Sequence, residues 1–219
     1  GRIYLTAQED EHHYRMVIDT KTKGIGAMVS KVARLVIAEG TKPNAENYVA
    51  VRYHSEPQKP GDRGTITLTY DERGNITKRF RDNDDDPAWR PPVPFEQINT
   101  ARDPITAAFI LRRKLFAVRS QPQSVLTQRT YDGARLAEMS LHSPTEKTLE
   151  VMGADQETVR VEIRRKPIHG YTPKELKKYE AGDPPIHLYF SNDQDFLPVR
   201  GAASTPLGEL SMTLVERQP

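Results

Sequence analysis

Asp103 to Val118 is the one long stretch of this chain whose pattern is helical, and it limits the architectures open to everything around it. Asp103 can cap the first free N–H groups, and Pro104 suits the first helical position, where no donor is needed. Ile105, Ala108, Phe109 and Phe116 fall on one side, with Leu111 and Leu115 beside them, which makes a wide apolar stripe. Arg112, Arg113 and Lys114 lie toward the C-terminal end, where the helix dipole favours cations. The rest reads as short strands and turns. A lone apolar helix among strands buries its stripe on the sheet they form.

Strand signals run along most of the chain. Gly1 to His13 is polar and reads as a flexible end. Tyr14, Met16 and Ile18 alternate as a first strand, and Gly24 and Gly26 mark a turn or bulge. Ala27 to Glu39 fits both a helical and a strand period, and its β-branched content favours strand. Tyr48 to Tyr53 alternates again. Asp71 to Asn75, Tyr131-Asp132-Gly133 and Gly153 to Glu157 are hairpin turns between alternating runs. Arg81 to Pro94 is acidic, then proline-rich, a long connection without regular structure. Thr172 caps a short helix through Lys178, and Ile186 to Ser191, Pro198 to Ser204 and Gly208 to Val215 close the chain as antiparallel strands.

The 219 residues have room for one sizeable domain or two small ones. The net charge of +2 gives no basis for nucleic-acid binding, which gathers basic residues on one face. No apolar run approaches the roughly 20 residues of a membrane span, so any membrane contact is peripheral at most. The absence of cysteine removes disulfides, thiol nucleophiles and thiolate metal sites together.

Chemistry-bearing motifs are few. None of the six histidines has a metal-ligand spacing. Asp82-Asn83-Asp84-Asp85-Asp86 offers oxygen ligands but lacks the glycine and distant Glu of a calcium loop, and reads as a solvated acidic loop. Phosphate loops, nucleophile elbows and metalloprotease motifs are missing, so no metal or cofactor is expected. Trp89 reads as packed under its own loop.

Several segments in order resemble a known family. Asp103-Pro104-Ile105-Thr106-Ala107 is similar to its helix start, Tyr131-Asp132-Gly133-Ala134-Arg135 to its Asp-Gly turn, and Lys166-Pro167-Ile168-His169-Gly170 to its strand exit. Leu197-Pro198-Val199-Arg200 and Thr205-Pro206-Leu207-Gly208 are similar to its closing strands. The family is domain of unknown function three-one-zero-eight, of proteobacterial periplasmic proteins. Many members carry a cysteine pair around the Asp-Gly turn and the later strand, and this chain has neither partner.

The resemblance implies an exported cell-envelope protein of the periplasm, and the chain is expected to be its mature part with the signal peptide removed. It also implies a mainly β fold, β-rich α+β, in which a curved antiparallel sheet or open half-barrel wraps around the helix at about 103–118, similar to outer-membrane lipoprotein carriers. One such domain is expected over 14–219. No catalytic residue is implied. Ile105, Phe109 and Phe116 on the helix, with Val161, Leu188 and Phe190 on strands, are the candidates to line a site for a lipid, a lipoprotein or another apolar ligand. The same residues filling a closed core is the competing reading. A scaffold binding envelope proteins or cell-wall polymer, and a hydrolase whose cleft gathers Asp103, Arg112, Asp132 and His169, are the alternatives. Without a cleft those four are a cap, a helix-end charge, a turn carboxylate and a loop histidine.

Overall fold

A computed structural model describes residues 2–21, 33–44, 47–58, 64–82, 90–182, 185–205 and 208–214. The fold is mainly β with one long helix, and no barrel closes. The described strands form two six-stranded antiparallel sheets, each in simple sequence order. The first contains β1 (Arg2–Glu9), β2 (His13–Lys21), β3 (Ala33–Asn44), β4 (Asn47–Pro57), β5 (Ile66–Tyr70) and β6 (Ile76–Arg81). The short α1 (Phe95–Ile98) and the long α2 (Pro104–Val118) follow. The second sheet contains β7 (Val125–Tyr131), β8 (Leu136–Val151), β9 (Ala154–His169), β10 (Ile186–Ser191), β11 (Pro198–Thr205) and β12 (Gly208–Thr213), with α3 (Pro173–Glu180) between β9 and β10. The break between sheets falls at the proline-rich connection and its helices. Hairpin-linked strands pair with their neighbours, whereas prolines remove the donors a ladder needs.

Contacts within the chain gather into two compact units. The first is Gly1–Ile110, Arg129–Ala137 and Ile168–Thr172. The second is Leu111–Gln128, Glu138–Pro167 and Pro173–Pro219.

In the first unit β5 shows the organising pattern: Ile66, Leu68 and Tyr70 are buried, while Thr67 and Thr69 alternate outward. Tyr14, Tyr48, Tyr53, Tyr70 and Tyr131 share this core with Ile105 and Phe109 of α2. Phe109 stacks on Tyr48 with centroids 5.1 Å apart and meets Tyr14 at 5.3 Å. In the second unit Leu111 and Leu115 of α2 pack with Val159, Val161, Phe190 and Phe196, and Phe190 stacks on Phe196 at 4.9 Å.

The ends of α2 follow from its sequence, with one correction. Asp103 Oδ1 accepts the N–H groups of Ile105 (3.0 Å) and Thr106 (2.8 Å), a side-chain N-cap. At the other end no cation lies in the last turn. Arg119, just beyond it, donates to the Phe116 carbonyl at 2.5 Å. Arg112 donates its Nε to Phe196 O at 2.9 Å and Nη2 to Asp195 O. Ala108, placed on the apolar stripe by sequence, is exposed, and Ala107 is buried instead.

Other differences have physical causes. The polar opening over 1–13, read as a flexible end, carries β1, paired with β2 from Arg2↔Lys21 to Glu9↔Tyr14. Its apolar alternation is confined to Ile3, Leu5 and Ala7 and is followed by a polar run through His13, which masks so short a series. The 16-residue strands β8 and β9 run through segments that read as separate pieces. Ser143 takes a left-handed φ of 49° just before Pro144, and β8 runs on past both. Ala33 to Glu39 is strand, while Gly24, Gly26, the stretch 27–32, Trp89 and the acidic run after Asp82 lie outside the described residues.

Gly40 marks a close approach inside the first sheet. A Cβ there would sit 2.2 Å from the Val49 carbonyl oxygen and 2.5 Å from the Tyr14 ring. Gly40→Ala is therefore expected to destabilise the protein by about 1–3 kcal/mol. At Gly201 the added carbon meets Leu188 at an ordinary 3.4 Å, so Gly201→Ala is expected to stay within about 0.5 kcal/mol. Urea midpoints measure both, and equal midpoints for the two variants would refute the packing argument.

Candidate functional site

The four hydrolase candidates are mostly engaged in structure. Asp132 Oδ1 accepts the N–H groups of Ala134 (2.9 Å) and Arg135 (2.7 Å), and its Oδ2 pairs with the Arg135 guanidinium at 2.7 Å, so it builds its own turn. Asp103 caps α2, and Arg112 is bonded to two carbonyls. His169 is half-buried at the end of β9. Among the described residues no group of three or more His, Cys, Asp or Glu could hold a metal ion. No helix among them is long and apolar enough to cross a membrane.

A polar network runs through the first unit's core. Asp103 is wholly buried, and that burial pushes its carboxyl above the ordinary range. The Thr106 hydroxyl, the Thr106 and Ile105 N–H groups and the Tyr70 hydroxyl oppose the shift by bonding to the ionised form. Tyr14 Oη lies 2.6 Å from Thr106 Oγ1, and Tyr70 Oη donates to Asp103 Oδ2 at 3.4 Å. Tyr48 Oη donates to Glu9, Tyr53 bonds Ser55, and Tyr131 Oη donates to Gly133 O at 2.7 Å. Each buried phenol thus has a partner, as a low-dielectric interior demands. Burial raises the phenol pKa values of Tyr14, Tyr53 and Tyr70.

The residues expected to line an apolar site divide between the units. Ile105 and Phe109 belong to the first unit's core. Phe116, Val161, Leu188 and Phe190 fall together in one cluster of the second. There the sheet face beneath the second half of α2 continues as an apolar shelf. Val161, Leu188, Gly201 and Met212 are cross-strand partners from β9 to β12, and Ile163, Ile186 and Ala203 form the next row. Val161 is fully buried, Leu188 and Ile163 are half-buried, and Ile186 and Met212 are 46% and 57% exposed. The alternation of Ile186 with Leu188 and Phe190 was the sequence signal for the outer part of this shelf.

A second feature lies on the outer face of the first unit. Thr67, Thr69, Thr77, Lys78, Arg79, Phe80 and Phe95 line an open hollow of about 440 Å³. A β-bulge builds it. Tyr70 pairs with Ile76 and Thr69 with Lys78, so Thr77 is the extra residue on β6, and its Oγ1 donates to Thr69 O at 3.2 Å. Thr77 and Lys78 are consequently both exposed, and the alternation beyond them is inverted: Phe80 is 57% exposed, while Arg81 is buried. Leaving a Phe side chain largely in water forgoes part of the roughly 1.5–3 kcal/mol that its burial would contribute. Arg79 reaches the Val93 carbonyl and the Tyr131 hydroxyl, each at 3.1 Å.

The Asp103 shift has a pH signature. A carboxyl whose folded pKa is raised favours the folded state below the ordinary value of about 3.9, and that contribution is lost as pH rises through the folded pKa. Asp103→Asn keeps a capping acceptor without the charge. Its stability relative to the parent is expected to improve steadily as pH climbs from about 4 through the raised value. A pH-independent difference in unfolding free energy would refute the assignment.

No curated protein and no solved structure matches the chain. A family model described as Protein of unknown function (DUF3108) matches residues 1–215. With the match spanning nearly its whole length, the chain belongs to the DUF3108 family.

Proposed function

We propose that the chain is a non-catalytic binding protein of the bacterial cell envelope, working in the periplasm. It holds an acyl chain, of a lipid or a lipoprotein, on the apolar shelf of its second unit. The observation that carries this reading is the continuity of the shelf. It begins in the packed core at Val161 and Phe190, passes through Leu188 and Ile163, and ends at Ile186 and Met212, which are largely open to water. A fatty chain laid along these rows would remove apolar surface from water at about 25 cal/mol per Å². The periplasmic assignment is supported by the resemblance set out above. The non-catalytic part is supported by the engagement of Asp103, Asp132 and Arg112 in a cap, a turn and a loop.

Two measurements test the proposal. Ile186→Glu and Met212→Glu alter exposed positions, so their unfolding midpoints are expected to stay near that of the parent. Their affinity for a fluorescent fatty acid is expected to fall at least about tenfold, because a carboxylate would have to be desolvated against the chain. Parent-like binding by both variants would remove the shelf as the site. Fractionation of cells expressing the full gene is expected to find the protein in the periplasm with a processed N-terminus. An unprocessed cytoplasmic pool would remove the envelope assignment.

A further inference from the structure

From the hollow on the outer face of β5 and β6 we infer a binding site for an acidic glycan, separate from the apolar shelf. The bulge at Thr77 is the starting point. It places Thr77 and Lys78 on the same face of β6 and turns Phe80 outward beside its cross-strand partner Thr67. A regular strand would have placed Phe80 on the same face as Ile76 and left Arg81 outside. The chain instead exposes the ring and buries the cation. Bulges commonly re-aim side chains beside functional sites.

The lining specifies the ligand class. Phe80 and Phe95, 57% and 44% exposed, offer flat apolar faces of the kind on which the C–H face of a pyranose ring stacks. Three threonine hydroxyls also line the hollow and can accept from sugar hydroxyls. Thr67 Oγ1 is fixed at 3.0 Å from His54 Nδ1, and Thr77 Oγ1, donating to Thr69 O, keeps its lone pairs free to accept. The charged side chain on this face is Lys78, since Arg79 pairs across to the buried Leu68 and donates to the Val93 carbonyl and the Tyr131 hydroxyl; no carboxylate lines the hollow, so the complementary sugar carries an acid group. The volume of about 440 Å³ suits one or two sugar rings, held in an open cleft rather than enclosed.

The test is titration of the full chain with trigalacturonic acid and, in parallel, with neutral maltotriose, followed by NMR shifts of the Thr67, Thr69 and Thr77 methyl groups. The acidic sugar is expected to shift these signals and to bind more tightly than the neutral one. Phe80→Ala is expected to weaken acid binding by about tenfold or more, with Phe95→Ala as the second variant should the first fail to fold. Lys78→Gln is expected to bring the acidic sugar down to the affinity of the neutral one. Met212→Glu, on the shelf of the second unit, is expected to leave sugar binding unchanged, so failure here is distinguishable from failure of the acyl-chain reading. Unshifted methyl signals with both sugars, equal affinity for the two sugars in the parent, or parent-like binding by both phenylalanine variants would overturn the inference.

Discussion

The carboxylate of Asp103 is the constraint on which the first unit's interior depends. It is wholly buried, and a buried charge without partners would cost far more than a cap returns. The solution is convergent. The first N–H groups of α2, the Thr106 hydroxyl and the Tyr70 hydroxyl all point at it. Thr106 in turn meets Tyr14, whose ring lies over the bare backbone of Gly40 and against Tyr48 and Phe109. The helix start, Thr106, Tyr14, Tyr70 and one tight glycine are thus linked through a single buried acid. Apolar residues around it could supply burial but no hydrogen bonds, a need that Tyr70 meets directly and Tyr14 through Thr106, each with an aromatic body and a polar tip.

The second unit solves a different problem. Its core, from Leu111 and Leu115 to Val159, Val161, Phe190 and Phe196, is apolar and needs no internal partners. Polar groups are placed outside it: Arg160 donates to His187, and Arg200 pairs with Glu209. Desolvation, followed by the nearby Arg160 charge, lowers the pKa of His187, consistent with a neutral ring accepting the arginine's hydrogen bond. Ile186 and Leu188 share a face of β10 with Val161 and Ile163 of β9, so this apolar row continues past the part covered by α2, and the shelf is that surplus.

Local chemistry was legible in the sequence and slipped register was not. The Asp103 cap, the Asp71 turn with its bonds to Arg73 and Asn75, and the Asp132-Gly133 turn depend on side chains bonding a few residues away, so short motifs disclose them. Val161, Leu188, Phe190 and Phe116 could be named because alternation and helical period marked them as apolar and inward. Phe80 and Phe95 were missed. Read with a period of two, Phe80 shares a face with Ile76, and only pairing across to β5 reveals the extra residue at Thr77. Nor does any local pattern show that β8 continues past Pro144.

The strand least visible in the sequence illustrates why some signals are missing for a reason. β1 is an edge strand, with its outer backbone groups facing away from β2. An edge of alternating apolar residues would recruit another chain, so edges are commonly kept polar. Thr6, Gln8 and Glu9 give β1 a polar end, where Glu9 is tied by the Lys42 ammonium at 2.6 Å, while Tyr4 and Leu5 are about half exposed. The polar end that shortens the apolar alternation of β1 thus also suits an edge. The opposite extreme is β12, also an edge, where Met212 stays exposed at the rim of the shelf. An apolar residue exposed on an edge carries an association hazard, and at Met212 it extends the apolar row that begins at Val161.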